Sequence, residues 1–558
     1  MVINSNDKII FDVIVIGSGI GGSSMAAILA KNGHKVLNVE KGQHPRTTWG
    51  EATLPQLSFW MWLISERYDF PEIKILADER KVTQNIANTC GIKRSIGFAY
   101  HREGENHDML KESHQILAPE LPFQSETHYF REDVDLYMAE VSKKYGVQLM
   151  ENTEVTAFKQ DEKGVTITTN EGKEYQGRYL IDCSGKQSIV SKTYKLHEEP
   201  TRLKSQTRAI WNHFEGVRVF DKMFTKQELP GMKHRWHDGT LHHIFDGGWF
   251  WIIPFDNHDK SNNSICSIGL MLDCRKYPKN SSLTPEEEFE MFVNKFPTVA
   301  EQMKNAKAKK TYLGTDRIQY SSQKTVGERY FITPQAYGAV DALYSRGMIS
   351  TFESMYMFLN RILGALNDDD FSLERFEKFD DLHRSQLDMH DKTVATAYKA
   401  FGNFDAWSIW VKVWIASKLY GDIWLFRSVM KCMRKPDKKI LEDLDFIKAP
   451  FLEPLQKIID LAFDLFTQAE EDKMTWSDAS KAVKNALADA NWLPHQQIPW
   501  AEIEKRHLDF TPELKLPSII LWGKTKSPKW VQEQMFDFLP TPLIKMKIKE
   551  KLGMKVSA

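Results

Sequence analysis

The chain has 558 residues, of which 42% are hydrophobic and 27% charged, enough apolar material for a sizeable globular core. Lysine and arginine number 74 against 75 acidic residues, and this balance argues against an overall basic field that would recruit nucleic acid. The five cysteines show no CxxC spacing, which argues against a disulfide scaffold or a metal module and favours a reducing compartment. Aromatic residues make up 12%, which fits either aromatic-rich packing or an aromatic-lined cavity.

The start of the chain and its apolar runs bear on where the protein acts. No run approaches the roughly 18 consecutive apolar residues of a membrane span, so we expect no integral membrane segment. Residues 1–8 are polar, and the apolar run at 9–16 leads into glycines without the small-residue cleavage site of a signal peptide. We therefore expect a cytoplasmic protein.

Residues 10–40 form the first predicted unit, a buried strand, a glycine turn, a helix and a second strand. The turn reads GSGIGG, in which Gly17 permits the sharp bend and Gly19 lets a pyrophosphate approach the backbone. Gly22 allows the helix to pack closely on the strand. Glu40 ends the second strand, where a carboxylate can accept hydrogen bonds from ribose hydroxyls. This arrangement predicts a dinucleotide site, with FAD favoured over NAD by the segments that follow.

The later segments alternate between sheet and helix signals. A helix is predicted at 131–145, followed by short alternating strands and by antiparallel strands at 205–275. From residue 350 onward strand signals almost vanish, and 351–440 and 453–490 show helical periodicity. The chain therefore predicts an α/β protein that ends in a mainly helical region.

Three further motifs narrow the class of flavoenzyme. WGEATLP occupies residues 49–55, WFWIIP residues 249–254 and VDALYSRG residues 340–347, the last followed by a helix predicted at about 348–363. In these segments the chain resembles the flavin-dependent halogenases, a branch of the FAD monooxygenase superfamily. GEATLP is similar to that family's flavin-loop motif, WxWxIP to the motif that separates halogenases from hydroxylases, and DALYSRG to the stretch beside the flavin ring.

The resemblance implies a fold as well as a cofactor. It implies a Rossmann-like FAD-binding domain of the glutathione-reductase and aromatic-hydroxylase type. We expect this halogenase-like module to span residues 1–365, with an antiparallel substrate sheet at about 200–330. Residues 366–558 would form a mainly helical region that contributes to the substrate pocket.

In this family reduced FAD, oxygen and chloride or bromide together give hypohalous acid, so the resemblance implies an anion site near the flavin. Ser345, Arg346 and Gly347 open a predicted helix, whose backbone N–H groups and dipole suit a halide. Ser345 also belongs to the implied catalytic set. Trp249 and Trp251 lie on one face of a predicted strand, and the resemblance implies that they separate the flavin from the substrate. A simple aromatic core is the alternative interpretation of this pair.

Family chemistry passes the halogen through a lysine, and we predict that this is Lys93. Residues 90–100 form a glycine-bounded strand between the flavin loop and the 131–145 helix, the place the resemblance implies. In several relatives the lysine lies two residues before a glycine, but Ser95 stands there in this chain. The register is thus left open, as is the alternative that Lys93 is a solvated cation. Lys74 and Lys81 are disfavoured because their flanks resemble an exposed helix.

The resemblance also implies FAD contacts outside the glycine turn. Glu51 and Ala52 belong to the flavin loop, and Arg131 would reach the FAD phosphate unless it is merely an exposed residue at a helix start. Gln335 stands in TPQA, where relatives carry an acid that contacts the ribityl chain. Asp341 is the second residue of the third motif, where the usual D-P pair is D-A.

Two aromatic features concern the substrate. Tyr344 precedes the motif serine where tryptophan halogenases carry glutamate, which disfavours free tryptophan and favours the phenol and pyrrole branch. Trp407, Trp410 and Trp414 follow helical spacing, and core packing is the default interpretation, with a substrate pocket as the alternative.

These observations predict an enzyme that halogenates an electron-rich aromatic in secondary metabolism, with a phenolic or pyrrolic substrate, free or bound to a carrier protein. A separate flavin reductase would supply FADH2, because nothing in the chain indicates a nicotinamide site. One alternative is an FAD-dependent monooxygenase that shares the fold. A second is a non-catalytic flavin-binding protein, suggested by the missing acid in TPQA.

Overall fold

The structure is a computed structural model that describes residues 10–119, 126–435, 437–511 and 515–552. The polar start predicted at residues 1–8 lies outside the described residues. The strands are β1 (Ile10–Ile16), β2 (Val36–Val39), β3 (Gly91–Ile92), β4 (Ser95–Tyr100), β5 (Ser113–Leu117), β6 (Thr127–His128), β7 (Gln148–Met150), β8 (Val155–Asp161), β9 (Gly164–Thr169), β10 (Glu174–Asp182), β11 (Thr207–Glu215), β12 (Thr240–Phe245), β13 (Gly248–Pro254), β14 (Cys266–Asp273), β15 (Lys307–Ala308), β16 (Leu313–Gly314), β17 (Val326–Gly327), β18 (Tyr330–Ile332) and β19 (His507–Asp509).

The α-helices are α1 (Ile20–Lys31), α2 (Pro55–Tyr68), α3 (Pro71–Leu76), α4 (Glu79–Asn85), α5 (Arg131–Lys144), α6 (Ile189–Thr193), α7 (Pro285–Lys295), α8 (Pro297–Met303), α9 (Pro334–Tyr337), α10 (Arg346–Asp368), α11 (Lys378–Ala400), α12 (Phe404–Arg434), α13 (Lys438–Glu442), α14 (Leu452–Glu470), α15 (Trp476–Ala488), α16 (Lys515–Thr525), α17 (Lys529–Met535) and α18 (Thr541–Lys551). Single 3₁₀ turns occur at Gly185–Gln187, Phe220–Met223, Trp236–Asp238 and Leu373–Arg375.

The first sheet carries the glycine turn. Its path runs β17-β18-β10-β1-β2-β7, and β1 pairs in parallel with β10 and β2, as expected for the continuous apolar run of β1. Ile16 is level with Asp182, and Asp182 with Ile332, so the loops after these three strands meet at one edge. This edge is where ligands bind in open α/β sheets.

The second sheet follows the path β15-β11-β14-β13-β12-β4-β5-β19 and is largely antiparallel. On β13, Trp251 pairs with Gly269 of β14, and a Cβ atom at residue 269 would lie 2.1 Å from the Trp251 ring. Only glycine leaves room for this indole to lie flat on the neighbouring strand. The pairing therefore fixes the face of β13 on which Trp249 and Trp251 project.

The C-terminal half is mainly helical, as the sequence predicts. α12 packs on α2, α11, α14 and α15, and Trp407 and Trp410 are completely buried, in line with core packing. The long segment predicted at 351–440 is three helices, because turns at 369–377 and 401–403 interrupt it. Among the described residues, no helix is both long enough and apolar enough to cross a membrane.

Together these features confirm the predicted α/β class with its Rossmann-like part, antiparallel sheet and helical region. The second sheet also takes in β4, β5 and β19, which lie outside the predicted limits of 200–330. The division of the chain at residue 365 stays a prediction, and that residue lies inside α10.

Candidate active site

A cavity of about 760 Å³ lies between the strand ends of the first sheet and one face of the second sheet. It is lined by the glycine turn after β1, the flavin-loop motif, the indoles of β11 and β13, and the first turn of α10. Three motifs that are far apart in the sequence thus meet in one cavity. Its volume and composition are those of a ligand or cofactor site.

The glycine turn has the geometry of a phosphate cradle. Gly17 has a φ of +93°, and a Cβ atom there would lie 2.7 Å from the Cys183 carbonyl oxygen. At Gly22 a Cβ atom would lie only 2.1 Å from the carbonyl oxygen of Gly17, so helix and turn pack without room for a side chain. At Gly19 a Cβ atom would approach only the Arg46 and Asp135 side chains. Gly19 is therefore the glycine whose open side faces the cavity.

Glu40 closes the other side of this cradle. Its carboxylate accepts hydrogen bonds from the backbone N–H groups of Ser18 and Gly42, both at 2.9 Å, and Arg46 lies 3.6 Å away. Burial opposes ionisation, but the Arg46 charge and these donors hold the pKa of Glu40 below its ordinary value. The group stays a carboxylate at neutral pH, as an acceptor for ribose hydroxyls must.

Arg131 and Glu51 position the flavin-loop motif. The Arg131 guanidinium donates to the carbonyl oxygens of Trp49 and Gly50, at 2.5 and 3.0 Å, and to the Asp135 carboxylate. Arg131 is buried, so the interpretation of an exposed residue at a helix start is wrong. Glu51 lies 3.0 Å from the Nε2 atom of His213, and Glu51, Ala52 and Arg131 all line the cavity.

Gln335 and Asp341 also line the cavity, in different ways. Gln335 is exposed, and its amide lies beside Gly347 in the first turn of α10. Asp341 accepts hydrogen bonds from the hydroxyl groups of Thr207 at 2.7 Å and Tyr398 at 3.2 Å. Burial raises the pKa of Asp341. Its carboxylate is thus already engaged in joining the second sheet to α11.

The first turn of α10 forms part of the cavity wall. Tyr344 and Ser345 adopt left-handed backbone conformations, with φ of 73° and 51°, which non-glycine residues rarely do. This bend turns the chain so that Ser345, Arg346 and Gly347 all line the cavity. The Arg346 guanidinium donates to the Gln56 side-chain oxygen at 2.8 Å, and desolvation lowers its pKa.

Four indoles form the wall of the cavity on the side of the second sheet. The ring centroids of Trp249 and Trp251 are 5.9 Å apart, those of Trp49 and Trp251 6.4 Å, and those of Trp49 and Trp211 5.7 Å. The N–H groups of Trp211 and Trp251 both donate to the Ser267 hydroxyl, at 2.8 and 3.3 Å. Burial fixes Trp211, Trp249 and Trp251 in place, while Trp49 is partly buried against them.

Lys93 lies beyond this wall. It is 3% exposed and occupies the break between β3 and β4, where the sequence predicts one continuous strand. Its ammonium donates to the Thr53 carbonyl oxygen at 2.6 Å. Burial lowers the pKa of Lys93 to about 8, so the interpretation of a solvated cation is wrong. The described residues that line the cavity do not include Lys93.

His242 connects the wall with the lysine. Its ring centroid lies 5.3 Å from that of Trp249, and Lys93 interacts electrostatically with its imidazole. Sequence reasoning missed His242, and also Trp211 and His213 on β11. The two-residue spacing of Trp211 and His213 was a usable signal for a shared strand face. Nothing in the local sequence indicates that this face borders a cofactor cavity.

The cradle, the acceptor at Glu40 and the size of the cavity fit FAD. A model of the FAD dependent oxidoreductase family matches residues 12–210, and a model of the tryptophan halogenase family matches residues 122–447, more than half of the chain. The monodechloroaminopyrrolnitrin halogenase PrnC of Pseudomonas fluorescens is 36% identical over 99% of this chain and 98% of its own length.

Two further relatives agree. Tetracycline 7-halogenase of Kitasatospora aureofaciens is 36% identical over 87% of each chain. The crystal structure of halogenase PltM in complex with phloroglucinol and FAD superposes with a TM-score of 0.83 at 28% identity, covering 89% of this chain and 99% of that one. The chain therefore belongs to the flavin-dependent halogenase family, outside its tryptophan branch, and is an FADH2-dependent enzyme that halogenates aromatic compounds.

Proposed function

We propose that this halogenase delivers an oxidised halogen from a flavin cavity, past the indole wall, to an aromatic substrate held near Lys93. The observation that carries the proposal is the placement of these residues around one cavity. The first turn of α10, Trp249, Trp251 and His242 line the cavity, and the Lys93 ammonium is buried outside this lining, near His242.

The residues that would hold FAD lie around the cavity. Gly17, Gly19 and Gly22 would receive the pyrophosphate at the start of α1, and Glu40 would accept the ribose hydroxyls. Glu51, Ala52, Arg131, Gln335 and Asp341 would shape the rest of the site. When bound and reduced, FAD supplies the electrons by which oxygen and a halide ion are converted to hypohalous acid.

The halide would bind at the first turn of α10. The Ser345 N–H group donates to the Ala342 carbonyl oxygen at 3.2 Å, whereas the N–H groups of Arg346 and Gly347 open α10 and have no partner within the helix, and the helix dipole favours an anion there. The Arg346 side chain is engaged with Gln56, so its guanidinium would act on the halide through its field. This site does not distinguish chloride from bromide.

Trp249 and Trp251 would keep water and the substrate out of the flavin cavity, so that hypohalous acid leaves by one route. Lys93 would then take up the halogen. As an amine it exchanges one N–H hydrogen for halogen with release of water, and the arene later takes the halogen while its proton is lost and the amine is restored. As an ammonium it would instead orient hypohalous acid by a hydrogen bond. Both routes require Lys93 to be positioned and shielded.

An electron-rich aromatic is the proposed substrate. Two relatives of 36% identity are named for monodechloroaminopyrrolnitrin and tetracycline, and the structural relative was solved with phloroglucinol. Tyr344 at the position before Ser345 also favours phenols and pyrroles over tryptophan. A carrier-bound substrate has one support, a chlorinase of pyrrole-2-carbonyl-[peptidyl-carrier protein] that is 23% identical.

The partner and location follow from the same chemistry. A separate flavin reductase would supply FADH2, as flavin-dependent halogenases generally require. A reducing, cytoplasmic setting is part of the proposal, and the five cysteines are free thiols, which supports it.

The proposal is tested with purified protein, FAD, a flavin reductase, NADH, bromide or chloride, and a panel of phenols and pyrroles. We expect mass spectrometry to find products that have gained one halogen and lost one hydrogen. Products that gain oxygen instead would identify a monooxygenase. Flavin binding without any product across free and carrier-bound substrates would contradict the proposed function.

A further inference from the structure

The surroundings of Lys93 contain a charged group that the proposed function does not use. Glu126 is 3% exposed, and its Oε1 atom accepts no hydrogen bond from the described residues. A buried carboxylate oxygen without a hydrogen-bond donor is costly, and such groups mark sites where charge has a function. Glu126 therefore calls for a physical explanation.

Strand pairing brings Glu126 to the lysine. β3 and β6 pair with Ile92 opposite Thr127, and the backbone N–H of Lys93 donates to the Glu126 carbonyl oxygen at 3.0 Å. Thr53 links the two segments. Its hydroxyl donates to the Thr127 carbonyl oxygen at 3.0 Å, and its own carbonyl oxygen accepts a hydrogen bond from the Lys93 ammonium. The two residues are thus held side by side by backbone contacts.

An ion pair on α12 lies close enough to act on Lys93. The Lys418 ammonium lies 3.0 Å from the Asp422 carboxylate, one turn apart on α12, and both line a small apolar cavity of about 70 Å³. The negative charge of Glu126 raises the pKa of Lys93, while the positive charge of Lys418 lowers it. The Asp422 carboxylate stabilises the positive charge of Lys418 and partly offsets its effect on Lys93. Lys93 therefore experiences two opposed charges from other segments of the chain.

Among the described residues, two further titratable groups interact with Lys93, and these are His128 and His242. Burial lowers the pKa of each to about 3, so both imidazoles are neutral from about pH 5 upward. Their charge does not change in the range where Lys93 titrates. Among these neighbours, Glu126 and the Lys418–Asp422 pair are left to set the charge of Lys93.

We propose that Glu126 is a positioning residue for Lys93, acting as its buried counter-charge, and that the Lys418–Asp422 pair on α12 balances this effect. The inference rests on the proposed role of Lys93. It assigns a role to the carboxylate of the residue that directly precedes β6. The consequence is that α12, which borders the small apolar cavity, influences the reactive lysine.

The test is the pH profile of halogenation, measured with saturating FADH2 between pH 6 and 10. Glu126→Gln removes the attracting charge and should move the midpoint assigned to Lys93 down by about one pH unit or more. Lys418→Met removes the repelling charge and should move it up. The double variant Lys418→Met with Asp422→Asn removes a neutral pair and should return the midpoint toward the wild-type value. Structural damage alone would not shift the midpoint in opposite directions in Glu126→Gln and Lys418→Met.

Glu79→Gln is the matched control, because Glu79 is also buried beside this strand but its carboxylate contacts the Arg94 guanidinium at 2.5 Å. It should leave the midpoint unchanged. A second readout, the pH dependence of Lys93 acetylation by acetic anhydride followed by peptide mass spectrometry, reports the lysine without using activity. Unchanged midpoints in both readouts for Glu126→Gln and Lys418→Met would overturn the inference.

Lys93→Ala separates the two proposals. If this variant loses halogenation while Glu126→Gln and Lys418→Met leave the midpoints in place, the lysine role stands and the inference fails. If Lys93→Ala halogenates normally, the lysine role fails. The acetylation profiles then decide whether Glu126 still sets the charge of Lys93, and shifts of the stated signs would support the counter-charge while unchanged profiles would overturn it.

Discussion

Lys93 is an ionisable residue that folding places almost wholly out of water. Burial lowers its pKa from 10.5 to about 8, so the unfolded chain binds more protons than the folded chain between these two values. Stability should therefore rise with pH across this window, and below pH 8 the buried ammonium costs about 3 kcal/mol. A group retained at such a cost is expected to serve catalysis.

This cost makes a measurable prediction for Lys93→Met. The variant should unfold at a higher temperature than the wild type at pH 7, and its advantage should shrink as the pH approaches 10. Thermal unfolding followed by intrinsic fluorescence at pH 7, 8.5 and 10 checks both points. An advantage that is the same at all three values would contradict the depressed pKa, because it would reflect packing alone.

At the scale of elements, the glycine turn should separate folding from cofactor binding. Gly19→Val places its branches on the cavity side, where only the Arg46 and Asp135 side chains are near, so the fold should persist. FAD affinity should fall about tenfold or more, a loss of at least about 1.4 kcal/mol, measured by quenching of flavin fluorescence. Gly22→Val is the contrasting variant and should impair folding, because its Cβ atom would overlap the Gly17 carbonyl oxygen. Unchanged FAD affinity in Gly19→Val would refute the assignment of this turn as the binding site of the FAD pyrophosphate.

The start of α10 gives a second prediction at this scale. A Cβ atom at residue 347 would lie 3.3 Å from the Gln335 amide, and the branches of Gly347→Val would obstruct the N–H groups proposed to hold halide. Halogenation should fall by about 100-fold or more, while oxidation of FADH2 and FAD binding continue. Gly364→Ala, later in the same helix, is the control and should remain active, because its Cβ atom would make only an ordinary contact with the Arg375 guanidinium at 3.7 Å. Full halogenation by Gly347→Val would remove this turn from the mechanism.

Elements whose chemistry lies in consecutive residues could be predicted from the sequence. The turn at Gly17 and the α10 start fall where the local pattern places them. The indole wall could be predicted only for Trp249 and Trp251, since Trp211 joins it through the pairing of β11 with β14. The position of Lys93 in a break between strands depends on β6 and β12, which lie far along the chain.

At the scale of the whole molecule, the site is assembled from segments that the sequence keeps apart. The surroundings of Lys93 come from residues near 53, 93, 126 and 418. No sequence pattern within one of these segments predicts which other segments it contacts. Likewise β19, near residue 508, extends the second sheet by pairing with β5. Composition and periodicity therefore predicted the layers of the fold, while the contacts between layers depended on tertiary packing.

The central claim is that flavin oxidation and halogen transfer occur on opposite sides of the indole wall and that Lys93 joins them. The most direct measurement compares FADH2 oxidised with halogenated phenol formed, in the wild type and in Lys93→Ala, under the same halide concentration. In the wild type, product formation should be coupled to FADH2 oxidation. In Lys93→Ala, FADH2 oxidation should continue while product falls by about 100-fold or more. A wild-type product yield from Lys93→Ala would contradict a role for Lys93 in halogen transfer.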